Sequence, residues 1–269
     1  MVWGTEDLAR QVPDGASVAL APDYSGCALA VVRALIRRGA KDLHLIGVPQ
    51  LGFQADLLIG AGCVRSVEAA AVTLGEQGPA PRFVAAVKTG AIEIRDSTCP
   101  AIHAGLQAAE KGVPFMPLRG LIGSDLLAHR SDWTVIDNPF GHDDPIVLLP
   151  ALKPDVALFH APLADRDGNI WIGRDRELAT MAHAAKKTVV TVEKLHDGNL
   201  FDDPALAAGA LGGFYVETVA VVPNGAWPLG LADHYPQDAT HLVEYARLAA
   251  TPEGFAAYLD RHVHDRRAA

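Results

Sequence analysis

The feature that most constrains this chain is an alternation of short apolar runs with helical stretches, linked by glycine and proline loops. Ser17-Val18-Ala19-Leu20-Ala21 predicts a strand, and Pro22-Asp23-Tyr24-Ser25-Gly26 a loop. Residues 27–38 then carry helical periodicity, with two arginines near the end, where cations suit the helix dipole, and Gly39 closes the helix. Residues 42–47 predict the next strand. A strand, a helical crossover and a second strand make a βαβ unit, and repetition of that unit implies a parallel sheet. A short helix over 7–12 precedes this unit. The alternation continues with a helix over 54–59, a strand region over 64–72 and a helix over 100–111. Extended segments follow at 113–118, 133–137, 146–149, 156–160, 189–192 and 216–222. Residues 177–185 supply a crossover helix, 251–264 predict a C-terminal helix, and 266–269 are expected to fray. The expected fold class is therefore α/β: an open, mostly parallel sheet with helices on both faces. The 269 residues are expected to form one domain.

Composition narrows the function classes. Apolar residues make up 49% of the chain and charged residues 20%, enough apolar material for a sizeable core, which excludes wholesale disorder. A net charge of −9 without a basic stripe argues against a nucleic-acid partner. No apolar run approaches the ~18 residues of a helical membrane span. The first seven residues lack the basic and apolar regions of a signal peptide, so a cytoplasmic protein is expected. Cys27, Cys63 and Cys99 form no C-x-x-C pair, so neither a disulfide framework nor a cysteine zinc site is indicated.

Isolated motifs do not reach a reaction. No G-x-G-x-x-G follows the first strand, and neither a Walker loop nor a G-x-S-x-G elbow is present, so nucleotide-binding and serine-hydrolase chemistry lack support. The 22–26 loop precedes a helix N-terminus, a place that suits an oxyanion or phosphate. The 11 histidines include no H-E-x-x-H. His160 is expected at the carboxyl end of a strand, where α/β proteins bind ligands, while His262 and His264 are expected on a solvated face. Glu93 lies in an otherwise apolar strand-like stretch, Gly90-Ala91-Ile92-Glu93-Ile94-Arg95-Asp96, with Glu93 and Arg95 on one face. Glu193 follows a strand directly and reads equally as a catalytic group or as a structural one. The loop over 75–81, rich in glycine and proline, is the strongest composition break and a surface or functional segment.

Three longer strings are more specific. The first is Val113-Pro114-Phe115-Met116-Pro117-Leu118 with Gly123-Ser124. The second is Ile136-Asp137-Asn138-Pro139-Phe140 with Ile146-Val147-Leu148-Leu149-Pro150. The third runs from Pro154-Asp155-Val156-Ala157-Leu158-Phe159-His160 through Asp167-Gly168-Asn169 to Lys186-Lys187-Thr188-Val189-Val190-Thr191-Val192-Glu193. In this order and spacing they resemble the α subunit of family I CoA transferases, of the glutaconate CoA-transferase type. The segment Val221-Val222-Pro223-Asn224-Gly225-Ala226-Trp227-Pro228 is similar to that subunit's Gly-Ala-His-Pro stretch, with Trp227 replacing the histidine. The resemblance covers about residues 5 to 260.

It implies the CoA-transferase superfamily fold and a partner in the form of a homologous β subunit, often in an α2β2 assembly. It also implies an acyl-CoA and a carboxylic acid as substrates. CoA is then a substrate, and no separate cofactor is implied. The family's nucleophilic glutamate sits in a Ser-Glu-Asn-Gly motif of the β subunit. That motif is absent here, as expected of an α chain. A carboxylate suits this work because each covalent intermediate stays activated for the next exchange. From this chain the resemblance implies Ser25 and Gly26 near the oxyanion or CoA, Gly75 and Glu76 in a binding loop, and Gly123 and Ser124 lining the acyl pocket. The loop after the first strand reads Ala21-Pro22-Asp23-Tyr24 where the family's begins Gly-Gly-Phe, which points away from glutaconate itself. Residues 88–95 are also similar to a branch of ring-opening CoA-thioester hydrolases, in which Glu93 becomes the candidate catalytic base. A third reading is a binding scaffold that is catalytically silent on its own.

Overall fold

The structure is a computed structural model and describes residues 4–265. Its backbone is a nine-stranded sheet. Seven strands run parallel in the order β12-β10-β8-β1-β2-β3-β4: Thr218–Val221, Lys187–Leu195, Val156–Ala164, Ser17–Leu20, Leu43–Gly47, Val64–Ala69 and Glu93–Asp96. Two short strands, β9 (Ile170–Trp171) and β11 (Ala210–Leu211), extend the far end of β8 in antiparallel pairing. The chain leaves β1 toward β2 on one side, and β8 returns on the other. The sheet therefore has its topological switch at β1, where the loops of neighbouring strands diverge and open a crevice.

Strand alternation sorts the core onto two faces. Val18, Leu20, Leu43, Leu45, Val156, Leu158 and Val189 point to one face, where they meet the helices α1 (Thr5–Arg10), α2 (Leu29–Arg37), α3 (Phe53–Gly60), α8 (Ala239–Leu248) and α9 (Pro252–Leu259). Ala19, Ala21, Ala157, Phe159, Val190 and Val192 point to the other, under α5 (Cys99–Glu110) and α7 (Arg176–Ala184). A strand covered on both sides loses its polar alternation and becomes a continuous apolar run, which is why these strands are legible in the sequence. The remaining helices are α4 (Pro81–Thr89) and the single turn α6 (Leu126–His129). Cys27 and Cys63 are buried free thiols, and Cys99 is exposed at the start of α5.

Three predicted extended segments do not join the parallel sheet. β5 (Phe115–Leu118), β6 (Thr134–Asp137) and β7 (Pro145–Pro150) form a separate antiparallel sheet in the order β5-β7-β6. Val147 and Leu149 of β7 pack on Ala101 and Ala104 of α5. β8 also runs past the predicted 156–160 to Ala164, because a hairpin supports its end. Asp165 accepts hydrogen bonds from the backbone of Asp167, Asn169 and Leu200 and from the Asn169 amide, which explains the Asp167-Gly168-Asn169 string as a turn. Helices α4 and α8 have no counterpart among the sequence-based expectations. The predicted C-terminal helix ends at Leu259 and continues as a widened, π-type turn over Asp260–His264. The fraying expected of residues 266–269 lies outside the described residues.

A buried ion pair ties the edge of the main sheet to the connection leading into β6. Arg130 Nη2 donates to Glu68 Oε1 on β3 at 2.8 Å, and both side chains are 6% exposed. Arg130 also grips Asp132 and the Asp96 carbonyl, and stacks 4.1 Å from the Trp133 ring centre. Burial opposes the charge on Glu68, but contacts from His44 and Arg130 prevail and lower its carboxyl below the ordinary value. Removing one partner strands the other charge in the interior. Arg130→Ala is therefore expected to destabilise the fold by about 3–5 kcal/mol in urea unfolding at pH 7. A loss below ~1 kcal/mol contradicts this account.

Candidate active site

The loop after β1 is fixed by backbone, not by side chains. Gly26 has φ +68°, and its carbonyl accepts a 2.7 Å hydrogen bond from His160 N on β8. A Cβ on Gly26 would lie 2.1 Å from the His160 carbonyl oxygen. The chain thus crosses β8 at a distance only glycine permits, in a conformation that favours glycine. Ser25 is fully buried, and its hydroxyl donates to Glu177 Oε1 at the start of α7, 2.5 Å away. The Ser25 hydroxyl is committed to an internal carboxylate and does not face an open oxyanion position.

On the β2 side of the switch lies a cleft of about 410 Å³. Asp23 and Tyr24 come from the β1 loop, Gln50 and Leu51 from the β2 loop, and Gly75 and Glu76 from the short 3₁₀ turn after β3. Leu229, Gln237 and Leu242 close the wall from the C-terminal segment. The structure thus brings the predicted Gly75 and Glu76 beside the β1 loop, at the carboxyl ends of three adjacent parallel strands. Gly123 and Ser124 lie elsewhere, in the turn before α6 on the small-sheet unit, and line no part of this cleft.

Asp23 is the cleft carboxylate that sequence reasoning passed over. Its two oxygens sit 2.9 and 3.1 Å from Phe53 N, at the N-terminus of α3. Burial pushes its carboxyl up to about 6. The Phe53 N–H resists this, and nearby Asp56 adds to it. Such a group changes charge near neutrality, as acid–base work requires. The signal available in the sequence was an aspartate in a strand-to-helix loop at the switch strand.

Glu193 and His160 form a second arrangement, and it is structural. His160 is fully buried in mid-β8, so the expected strand-end position is corrected by the longer strand. Its Nε2–H donates to Glu193 Oε1 at 2.6 Å, and its Nδ1 lies 2.8 Å from the Thr191 hydroxyl. The Tyr235 hydroxyl also donates to Oε1 at 2.8 Å, and Asn224 N donates to Oε2 at 2.9 Å. Gly225 must be glycine here, because a Cβ would lie 2.6 Å from His160 Cε1. Burial works against the Glu193 charge, but His160, Asn224 and Tyr235 together hold its carboxyl down to about 2. Both oxygens are occupied, so Glu193 clasps β8, β10 and the loop after β12.

Glu93 stands apart. It opens β4, an edge strand exposed at all four positions, and pairs with Ser66 of β3 in parallel register. That places it at the amino end of the strand, about 10 Å of strand away from the carboxyl-end crevice. Its side chain is 63% exposed and meets Arg95 at 3.4 Å, so the two share a face as expected. The apolar surroundings expected to raise its basicity are absent among the described residues, because no strand covers the outer edge of β4.

The two inward carboxylates titrate in opposite senses. Asp23 has a raised folded value, so its charge penalises folding above about pH 6 and not below its ordinary value of 3.8. Asp23→Asn is expected to raise the melting temperature at pH 7.5 and to leave it unchanged near pH 3.5. Glu193 has a lowered value, so its contribution is complete above about pH 4.5 and is lost as pH falls toward 2. Glu193→Gln is expected to cost on the order of 2 kcal/mol at pH 7.5 and progressively less below pH 4.5. Unfolding curves at both ends of the range check the signs, and matching signs for the two variants contradict the assignment.

Comparison with known proteins agrees with this architecture. The family model described as coenzyme A transferase matches residues 5–210. The chain is 32% identical over 266 residues to the first of the two subunits of 3-oxoadipate CoA-transferase from Pseudomonas knackmussii, covering 96% of this chain and 91% of the relative. It is also 32% identical to the cholesterol ring-cleaving hydrolase IpdA subunit of Rhodococcus jostii, covering 90% and 85%. Glutaconate coenzyme A-transferase of Acidaminococcus fermentans superposes with a TM-score of 0.91 at 28% identity, over 98% of this chain and 89% of that one. The decarboxylase AibA/AibB superposes with a TM-score of 0.84 at 30% identity, over 96% and 98%. On the family match and on these relatives, the chain belongs to the coenzyme A transferase family and is of its α-subunit type.

Proposed function

We propose that this chain is the α subunit of a heteromeric CoA transferase that moves CoA between an acyl-CoA and a small carboxylic or dicarboxylic acid. In this reading a homologous β subunit supplies the nucleophilic glutamate. Its carboxylate attacks the thioester carbonyl and expels CoA as thiolate, leaving a mixed anhydride. The thiolate then attacks the glutamyl carbonyl, releases the first acid and leaves a glutamyl-CoA thioester, and the second acid reverses the sequence. The present chain contributes the cleft at the ends of β1, β2 and β3, with Asp23 and Glu76 on its walls.

The observation that carries the transferase reading over the hydrolase reading is the setting of Glu93. A general base at neutral pH needs burial or a like charge to raise its basicity. Glu93 is exposed beside Arg95 at the far end of its strand. The decarboxylase and hydrolase relatives show that the same frame carries other chemistries, so assay of the assembled complex decides. With the partner co-expressed, Glu93→Gln is expected to retain turnover within about threefold of the parent, read as CoA exchange from acetyl-CoA to a panel of free acids. A hundredfold loss in a correctly assembled complex moves the assignment to the hydrolase branch.

The requirement for a partner has its own support. The outer edge of β4 is unpaired, and Ile94 on it is 39% exposed. Beside it an apolar groove of about 420 Å³ runs along Val67, Ala69, Val84 and Val87. On the small sheet, Val135 and Ile136 of β6 are 49% and 37% exposed. Open edges and apolar patches of this kind mark association surfaces. Ile94→Asp is expected to weaken capture of the β subunit by tenfold or more in size-exclusion chromatography of the co-expressed pair. Unchanged co-elution places the interface elsewhere.

A further inference from the structure

The expectation for His262 and His264 is a shared solvated face. The structure separates them. His264 is exposed, whereas His262 turns inward through the π-type turn at Asp260–His264. Its ring packs 4.8 Å from Tyr258 and 4.7 Å, nearly edge-on, from His241. His241 is 6% exposed and stacks on Trp227. One turn further along α8 stands Glu244. His241, Glu244 and His262 each offer one donor atom, and the three atoms lie within 4.8 Å of one another.

A second observation indicates that the cluster has a use beyond packing. His262 Nε2 is buried and has no hydrogen-bond partner. A buried ring nitrogen left unmatched is costly unless something fills its place. His241 is the opposite case, since its Nε2 is held by the Tyr258 hydroxyl at 2.7 Å. Ligating histidines ordinarily have their other nitrogen tied in this way. Glu244 has one oxygen, Oε1, within 3.1 Å of Arg261 Nη1.

We propose that His241, Glu244 and His262 form a binding site for a divalent transition-metal ion, with Zn²⁺ as the fitting type. Two imidazoles and one carboxylate are a zinc donor set, and zinc accepts three protein ligands with a fourth position left to water. Metal–ligand distances of about 2.0–2.2 Å require the donors to draw inward by roughly 1 Å, within reach of side-chain rotation. Two arginines border the cluster. Arg33 lies over the Trp227 ring with its head on the Trp227 carbonyl, and Arg261 is on Glu244. Their positive charge disfavours a hard cation held by charge alone. Binding therefore depends on the two nitrogens and selects zinc over calcium or magnesium. The ion pins the C-terminal turn to α8, the helix whose Leu242 lines the cleft after β1. Occupancy of this site is thereby linked to the shape of one cleft wall.

The test uses the full chain without a histidine tag, stripped with a chelator and titrated with ZnCl₂ alone in a calorimeter, with metal retention after dialysis measured by mass spectrometry. One zinc per chain and a raised melting temperature are expected. His262→Gln is expected to weaken binding at least tenfold and Glu244→Gln to weaken it less, while His264→Gln binds as the parent does. Calcium and magnesium are expected to give no such binding. Absence of retained zinc in the parent overturns the site and leaves an aromatic cluster, without any dependence on His262→Gln folding. Equal zinc binding by parent, His262→Gln and Glu244→Gln overturns it as well. Neither outcome bears on CoA exchange, which the partner complex tests separately.

Discussion

Everything near the cleft depends on the backbone crossing between the β1 loop and β8. The Gly26 carbonyl accepts a short backbone hydrogen bond from His160 at a separation that excludes even a methyl group. That contact fixes where the loop leaves the sheet. It carries Asp23 and Tyr24 toward the β2 side, into the cleft, and turns Ser25 inward to Glu177. The switch at β1 would exist in any sheet of this order. The close crossing converts it from a loose divergence of loops into a rigid wall, because neither partner can shift without losing a buried bond.

The acidic side chains around the strand ends divide into those that hold the structure and those that face the cleft. Glu193 commits both oxygens to three donors from different elements, and its lowered titration is the electrostatic sign of that commitment. Glu68 does the same for the far edge of the sheet through Arg130. Asp23 differs. It accepts from one helix N-terminus, and burial outweighs that bond, so its charge is unfavourable at neutral pH. The same kind of side chain thus plays opposite parts according to how many donors surround it.

Much of the sheet was legible because it is covered on both faces. Buried parallel strands are short continuous apolar runs, and β1, β2, β8 and β10 stand out against their loops for that reason. The small antiparallel sheet was not separable from the large one, since Phe115–Leu118 and Pro145–Pro150 read as strands without disclosing their partners. Helix α8 escaped notice although Asp238 caps it by accepting from His241 N, a local signal masked by the preceding turns. The site was legible in part. The loop at 22–26 and the pair Gly75 and Glu76 do meet at one cleft. The clasp around Glu193 joins positions 160, 191, 193, 224 and 235, and the Glu68–Arg130 pair spans 62 positions. No sequence spacing encodes such contacts, because strand order brings them together.

The expectation for Glu93 went astray for an instructive reason. Its neighbours Ala91, Ile92 and Ile94 are apolar, and an apolar sequence context does not by itself make an apolar environment. On a central strand it would have made one. β4 is the edge, so the apolar residues there face outward as much as inward, and Glu93 sits in solvent with Arg95. An exposed edge rich in isoleucine and valine is costly to leave open in a chain that otherwise buries its core thoroughly. The same observation that removes Glu93 from an apolar pocket therefore argues that a second chain covers this edge. A covered edge would change the surroundings of Glu93 again, so its basicity in the complex is set by what the partner places against Ile94.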